Sequence, residues 1–178
     1  MPDKILSRPD ATEYAPYYGK YISLIPAGDL IKIMHEQFER TLATLRKISE
    51  TQSLTRYEPD KWSIKEVVGH MIDTERIMSY RALRIGRGDE TPIPGFEQDD
   101  YVRAANFDAR SFREIVGEFQ AVRQATLALF RSLDEAALSR RGTASDLPVS
   151  ARALTHIVAG HELHHLNVLQ TKYLPLLK

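Results

Sequence analysis

The stretch GHELHHLNVLQ, residues 160–170, sets three histidines and a carboxylate inside an otherwise apolar run. His161 and His165 are four residues apart, so on a helix they stand one above the other on a single face. Two imidazoles in that register can hold one divalent ion through their ring nitrogens. His161-Glu162-Leu163-His164-His165 also spells H-E-x-x-H, the zinc-protease signature, in which the glutamate is the general base. In those proteases the third ligand follows the motif. Here the sequence after His165, LNVLQTKYLPLLK, holds no His, Asp, Glu or Cys. A protease of that order is therefore disfavoured, and a third ligand has to come from upstream, where His70 is best placed.

Four helical patterns position these groups. The first runs from a cap at Asp29 to about Ser53. The second starts at Ser63, which has capping-box spacing to Glu66, and ends near Gly86. A long connection over 87–110 follows, with a short helix around 98–105. The third helix runs from Ser111, spaced likewise from Glu114, to Leu133. A helical turn in LDEAALSR and a polar stretch RGTASDLP lead to the fourth helix, from Ser150 to before Pro175. Residues 1–26, rich in Pro and Tyr, read as an extended arm whose tyrosines pack onto the bundle or onto a partner chain. No strand alternation or repeat is visible. The expected fold is all-α: a four-helix bundle with one long crossover connection and an extended N-terminal arm, over 1–178 as a single domain.

At about 100° per residue, each helix shows an apolar stripe broken by a polar residue. In the fourth, Leu154, Ile157, Val158 and Val168 flank His161 and His165, with His164 at the edge and His156 pointing well away. In the second, Ile64, Val67, Val68, Met71 and Met78 surround Glu75, with His70 at the shoulder. In the third, Arg123 sits among Phe112, Ile115, Val116, Phe119, Val122, Leu127 and Phe130. In the first, Gln37 and Thr41 lie between Ile33, Met34, Leu45 and Ile48. An unpaired buried polar group costs roughly 1–3 kcal/mol and a charge more, so several in one core imply a satisfied network or a wet pocket. Glu75 and Arg123 are the obvious pair. Trp62 reads as a packing residue at a helix start.

Composition excludes other classes. Lys plus Arg and Asp plus Glu both number 24. Without a basic excess to neutralise phosphates, nucleic acid is not expected as a partner. The absence of cysteine removes disulfides, thiolate ligands and a cysteine nucleophile. No apolar run approaches the roughly 18 residues of a membrane span, and the start MPDKILSRPD lacks a secretory apolar segment. A cytoplasmic location away from membranes is the expectation.

KWSIKEVVGHMIDTERIMSYRALRIGRGD, followed far downstream by ALTHIVAGHELHHLNVLQTKYL, resembles the DinB-like superfamily, in its YfiT-type branch of metal-dependent hydrolases and thiol transferases. The likeness extends to YISLIPAGD and TPIPGFEQDDYV. It implies a four-helix bundle with a divalent metal held by His70, in GHMIDTE, and by His161 and His165, in GHELHHL. Glu162 then becomes a bystander or outer group rather than a protease base. Some members of the superfamily act with low-molecular-weight thiols such as bacillithiol, mycothiol or glutathione.

The expected function is thus a metal-dependent hydrolase or thiol S-transferase acting on a small molecule. Zn²⁺ or Ni²⁺ is the first choice of ion, with Mn²⁺ or Fe²⁺ as further candidates, since imidazoles do not choose sharply among them. The reaction would run through a metal-bound water, with Glu75 orienting it or Arg123, and Arg123 holding an anionic substrate group. The alternative is a non-catalytic helical module whose histidines form a structural metal site or a polar core, with homodimerisation through the arm or a bundle face.

Overall fold

Side-chain caps set the ends of the bundle helices. In the computed structural model, which describes residues 7–177, Asp29 accepts from the Lys32 amide at the start of α2 (Leu30–Leu45; α1 is given below). Ser63 and Glu66 form a reciprocal capping box before α3 (Ile64–Gly86). Ser111 caps α5 (Phe112–Ser132) through the Glu114 amide, and Ser150 caps α7 (Ala151–Val168) through Ala153. Two short helices complete the set, α4 (Gln98–Ala105) in the crossover and α6 (Glu135–Ser139) after α5. The architecture is the expected bundle: α3 packs on α5 and α7, and α2 on the same two helices.

Three expectations need correction. The helix expected to reach Ser53 stops at Leu45, because Ser49 and Gln52 bond each other's backbone amides and offer the chain a local alternative to the helical ladder. The arm is not extended where it is described (residues 1–6 lie outside the described residues). Asp10 and Glu13 form a capping box around a 3₁₀ turn, Pro16 starts a second, and α1 (Gly19–Ile22) follows. The polar stretch expected to be irregular is a β-hairpin, β1 (Arg141–Ala144) against β2 (Leu147–Ser150). Its two-residue turn, Ser145-Asp146, has both φ angles positive, the twist a tight hairpin needs. Ile93 of the crossover adds to this hairpin through bonds to Thr143 and Ser145.

The apolar core is divided in two. One cluster holds Met34, Met78, Leu127 and Val158. The other holds Phe38, Met71, Phe119 and Leu169. On each bundle helix the boundary falls at polar residues: Gln37 on α2, Glu75 on α3, Arg123 on α5, and His161 with Glu162 on α7, all buried. Among the described residues no helix is long and apolar enough to cross a membrane.

The arm is seated by a close backbone approach. A Cβ added at Gly160 of α7 would lie 2.2 Å from the Tyr21 carbonyl oxygen of α1. Gly160→Ala is expected to push α1 away and to cost about 1–3 kcal/mol, the usual range for overpacking. Gly117→Ala, on an exposed turn of α5 with nothing within 4 Å of the added Cβ, is expected to stabilise the fold by roughly 0.5–1 kcal/mol. Denaturant unfolding of both variants checks the opposite signs.

Candidate metal centre

His70 projects from α3, and His161 and His165 from α7, into one cluster. The Nε2 atoms of His70 and His161 are 3.0 Å apart, and those of His165 and His161 are 3.1 Å apart. All three ligand atoms lie within 4.8 Å of one another. Neighbouring rings fix the imidazole planes. Trp62 lies 4.8 Å from His70, and Tyr21 stands edge-on to His161 at 5.4 Å and to His164 at the same distance. Thr74 Oγ1 is 3.4 Å from His70 Nδ1, so a proton on Nδ1 has an acceptor and Nε2 keeps its lone pair.

Burial dominates the electrostatics of the cluster. It holds His70 down to about 4, with His164 adding a smaller push. It drives His161 and His165 well below the ordinary histidine value, reinforced by the facing imidazoles. Neutral rings with free lone pairs are what a metal requires. The donor set fits an ion for a further reason. An imidazole Nε2 carries either one proton or one lone pair, so His161 Nε2 can satisfy one of its two neighbours through a hydrogen bond, not both. A single cation with bonds of about 2.0–2.1 Å satisfies all three.

Below the cluster lies a buried ion network. Arg123 Nε and Nη2 donate to the two carboxylate oxygens of Glu75 at 2.8 and 2.7 Å, and Nη1 donates to Glu162. Thr41 Oγ1 donates to Glu162 at 2.7 Å, and Gln37 Nε2 donates both to Glu162 and to the Ala159 carbonyl. Burial alone would lower the Arg123 pKa, but the two carboxylates outweigh it and hold the guanidinium charged.

The Glu75–Arg123 pair therefore forms as its spacing implies. A substrate-binding role for Arg123 does not match this placement: the side chain is fully buried and all three of its nitrogens face carboxylates. Glu162 is more than a bystander, since it joins α7 to α5 and α2. His164 is half-buried at the edge of the cluster. His156, on the far side of α7, is buried but bonded to Arg152 and Thr155, away from the site.

Two clefts reach the histidines. A cavity of about 250 Å³ is lined by His70, His161, Tyr18, Tyr21, Arg81 and Phe96, among others. A second, of about 370 Å³, is lined by His164, His165, Trp62 and Tyr173. Asp99 borders both. The 87–110 connection thus supplies part of the site wall, and the arm tyrosines supply another part. Sequence reasoning missed Tyr21, Thr74 and the Phe96–Asp99 segment as site residues. The available signal was that Thr74 follows His70 by four residues.

The sequence pattern of the DinB superfamily matches residues 33–169. The chain belongs to the DinB superfamily. Curated proteins give no match. Among solved structures, this DinB-superfamily chain is similar to YfiT from Bacillus subtilis, described as a probable metal-dependent hydrolase with an unusual four-helix bundle topology. The likeness has a TM-score of 0.67 at 15% identity and covers 92% of this chain and 90% of that one. It is also similar to a mycothiol-dependent maleylpyruvate isomerase, with a TM-score of 0.66 at 12% identity, over 82% of this chain and 61% of the isomerase. At these identities the likeness is one of fold.

Two outcomes follow from the site's burial. Arg123→Met would leave two buried carboxylates uncompensated, with an expected cost of about 3–5 kcal/mol in urea unfolding; a loss below about 1 kcal/mol would contradict the network. His70 and His156 titrate near 4 when folded, against about 6.5 when unfolded. Between those values the unfolded chain binds more protons, so stability is intact above about 6.5 and falls as the pH drops towards 4. Denaturant midpoints of chelator-treated protein at pH 7.5 and 5 measure this; equal midpoints would mean that the folded imidazoles are already charged.

Proposed function

We propose that this chain is a metal-dependent enzyme acting on a small-molecule substrate, with one divalent ion, Zn²⁺ or Ni²⁺ by preference, held by His70, His161 and His165. The observation that carries this reading is the convergence of the three Nε2 atoms between two open clefts, His70 and His161 lining one and His165 the other. Three protein ligands leave coordination positions for water and substrate, whereas a structural site is closed by four. Among the described residues the cluster holds three candidate ligands and no fourth, which weighs against the non-catalytic alternative.

When bound, a divalent ion supplies Lewis-acid polarisation and makes a nucleophile available at neutral pH. Hydrolysis and thiol transfer both draw on that chemistry. The structural neighbours described as a probable metal-dependent hydrolase and a mycothiol-dependent maleylpyruvate isomerase lend support to metal-dependent and thiol-dependent chemistry. The protein's own groups do the rest. Thr74 offers an acceptor to a proton on His70 Nδ1, Trp62 and Tyr21 pack against the imidazole rings, and Glu75 acts at a distance by holding Arg123. His164, at the mouth of the second cavity and 5.0 Å from the His165 ring, is placed to move a proton to or from a substrate.

Untagged protein is expected to carry about one divalent ion per chain by metal analysis, and His161→Ala to lose it while keeping its helical circular dichroism. The sole tryptophan, Trp62, lies 4.8 Å from the His70 ring and offers a second readout: Ni²⁺ or Co²⁺ should quench its fluorescence in the wild type and not in the variant. Equal metal content in both proteins would overturn the ligand assignment. A Co²⁺ visible spectrum that does not respond to an added thiol or small anion would overturn the open site.

A further inference from the structure

Among the described residues Arg81 is a buried cation with no counter-ion. It is 2% exposed, yet among the described residues no carboxylate lies within 4.0 Å of it. The other fully buried arginine, Arg123, meets Glu75 and Glu162, and even the partly exposed Arg152 meets Glu13 and Glu135. Arg81 Nη2 donates to the Pro94 carbonyl at 2.8 Å and to Ser145 Oγ at 3.0 Å, and Nη1 approaches the Met78 sulfur at 3.7 Å. Among the described residues its Nε has no partner, and it is buried. Leaving a guanidinium out of water without an opposing charge carries a penalty that neutral acceptors only partly offset.

The position of this residue is as informative as its partners. It follows His70 on α3 by eleven residues, close to three full turns, so both lie on one face. Helical side chains lean towards the N-terminus, which carries the guanidinium back towards His70. Arg81 lines the same cavity as His70 and His161, as do Tyr18 and Ser145. Burial raises the Tyr18 hydroxyl, and the neighbouring Arg81 opposes that rise, so the two groups sense each other. Glu97 and Asp99 also border the cavity but do not pair with Arg81.

We propose that Arg81, with the hydroxyls of Tyr18 and Ser145, is a recognition subsite for the carboxylate of a small organic acid, whose reacting end then lies at the three histidines. The inference rests on reading those histidines as the reacting centre. A guanidinium binds a carboxylate through charge-assisted N–H bonds, and Nη1, which meets only the weak acceptor sulfur of Met78, keeps a donor for it. A cavity of about 250 Å³ admits a molecule of a few carbons. A substrate anchored at one end and reacting at the other is also held in the orientation that catalysis requires.

The test is calorimetric binding of succinate and of its uncharged isostere succinamide to metal-loaded wild type, Arg81→Gln, Arg81→Lys and His161→Ala. Succinate is expected to bind the wild type at least about tenfold more tightly than succinamide does, and Arg81→Gln at least about tenfold more weakly, with its metal content unchanged. Arg81→Lys, which keeps the charge and loses the fork, should fall between. Wild-type affinity in Arg81→Gln, with only a lower melting temperature, would make Arg81 a strut for the hairpin and overturn the subsite. Equal affinity of the wild type for succinate and succinamide would overturn it without any variant. Arg81-dependent succinate binding that persists in metal-free His161→Ala would uphold the subsite even if the metal assignment failed.

Discussion

The guanidinium of Arg123 lies at the centre of the bundle with no access to water, held by Glu75 of α3 and Glu162 of α7. Gln37 and Thr41 of α2 complete the coordination of Glu162. One residue or more from every bundle helix is thus committed to a single layer. A charge there tolerates no loss of partner, so the four helices cannot slide past one another without leaving an ion unpaired. A slip of one turn, about 5.4 Å, would carry each partner out of reach. The apolar halves on either side add most of the burial, but aliphatic side chains repack with little penalty and do not define such a register.

The histidine cluster inherits its geometry from this layer. His161 precedes Glu162 directly, and His70 precedes Glu75 by five residues on the same helix. Fixing the glutamates therefore fixes where the imidazoles meet. The arrangement separates two kinds of polar group. Those in the layer are sealed, and the ions among them are paired. Those one step outward present ring nitrogens to each other and to open clefts, and they stay neutral because burial disfavours their charged form.

Much of this was legible in the sequence, and the exceptions have physical causes. Periodicity places Glu75 and Arg123 at the centres of their stripes because α3 and α5 each keep a solvated face that makes the stripe visible. It gives no such contrast on α7, where every residue from Ala153 to Glu162 is buried. That helix is enclosed by its neighbours and by the arm, so neither the inward aim of Glu162 nor the burial of His156 could be read from polarity alone. The H-x-x-x-H pair needed only spacing. The hairpin was missed because its turn uses Ser145 and Asp146 in left-handed backbone rather than the Asn-Gly that signals such turns. Which loops wall the site depends on contacts distant in sequence, such as that of Ile93 with Thr143, and no local pattern encodes them.

The hairpin and the crossover share a mechanical role. Ile93 is stitched to the strand β1, Arg84 grips Asp89 at the start of the crossover, and Phe96 to Asp99 follow as cavity wall. The three histidines stand on long helices, while the wall stands on connections tethered at a few points. These parts can vary independently: residues in the connections can be exchanged, lengthened or shortened while the cage keeps its shape. A scaffold divided in this way separates the elements that hold the histidines together from those that shape the approach to them.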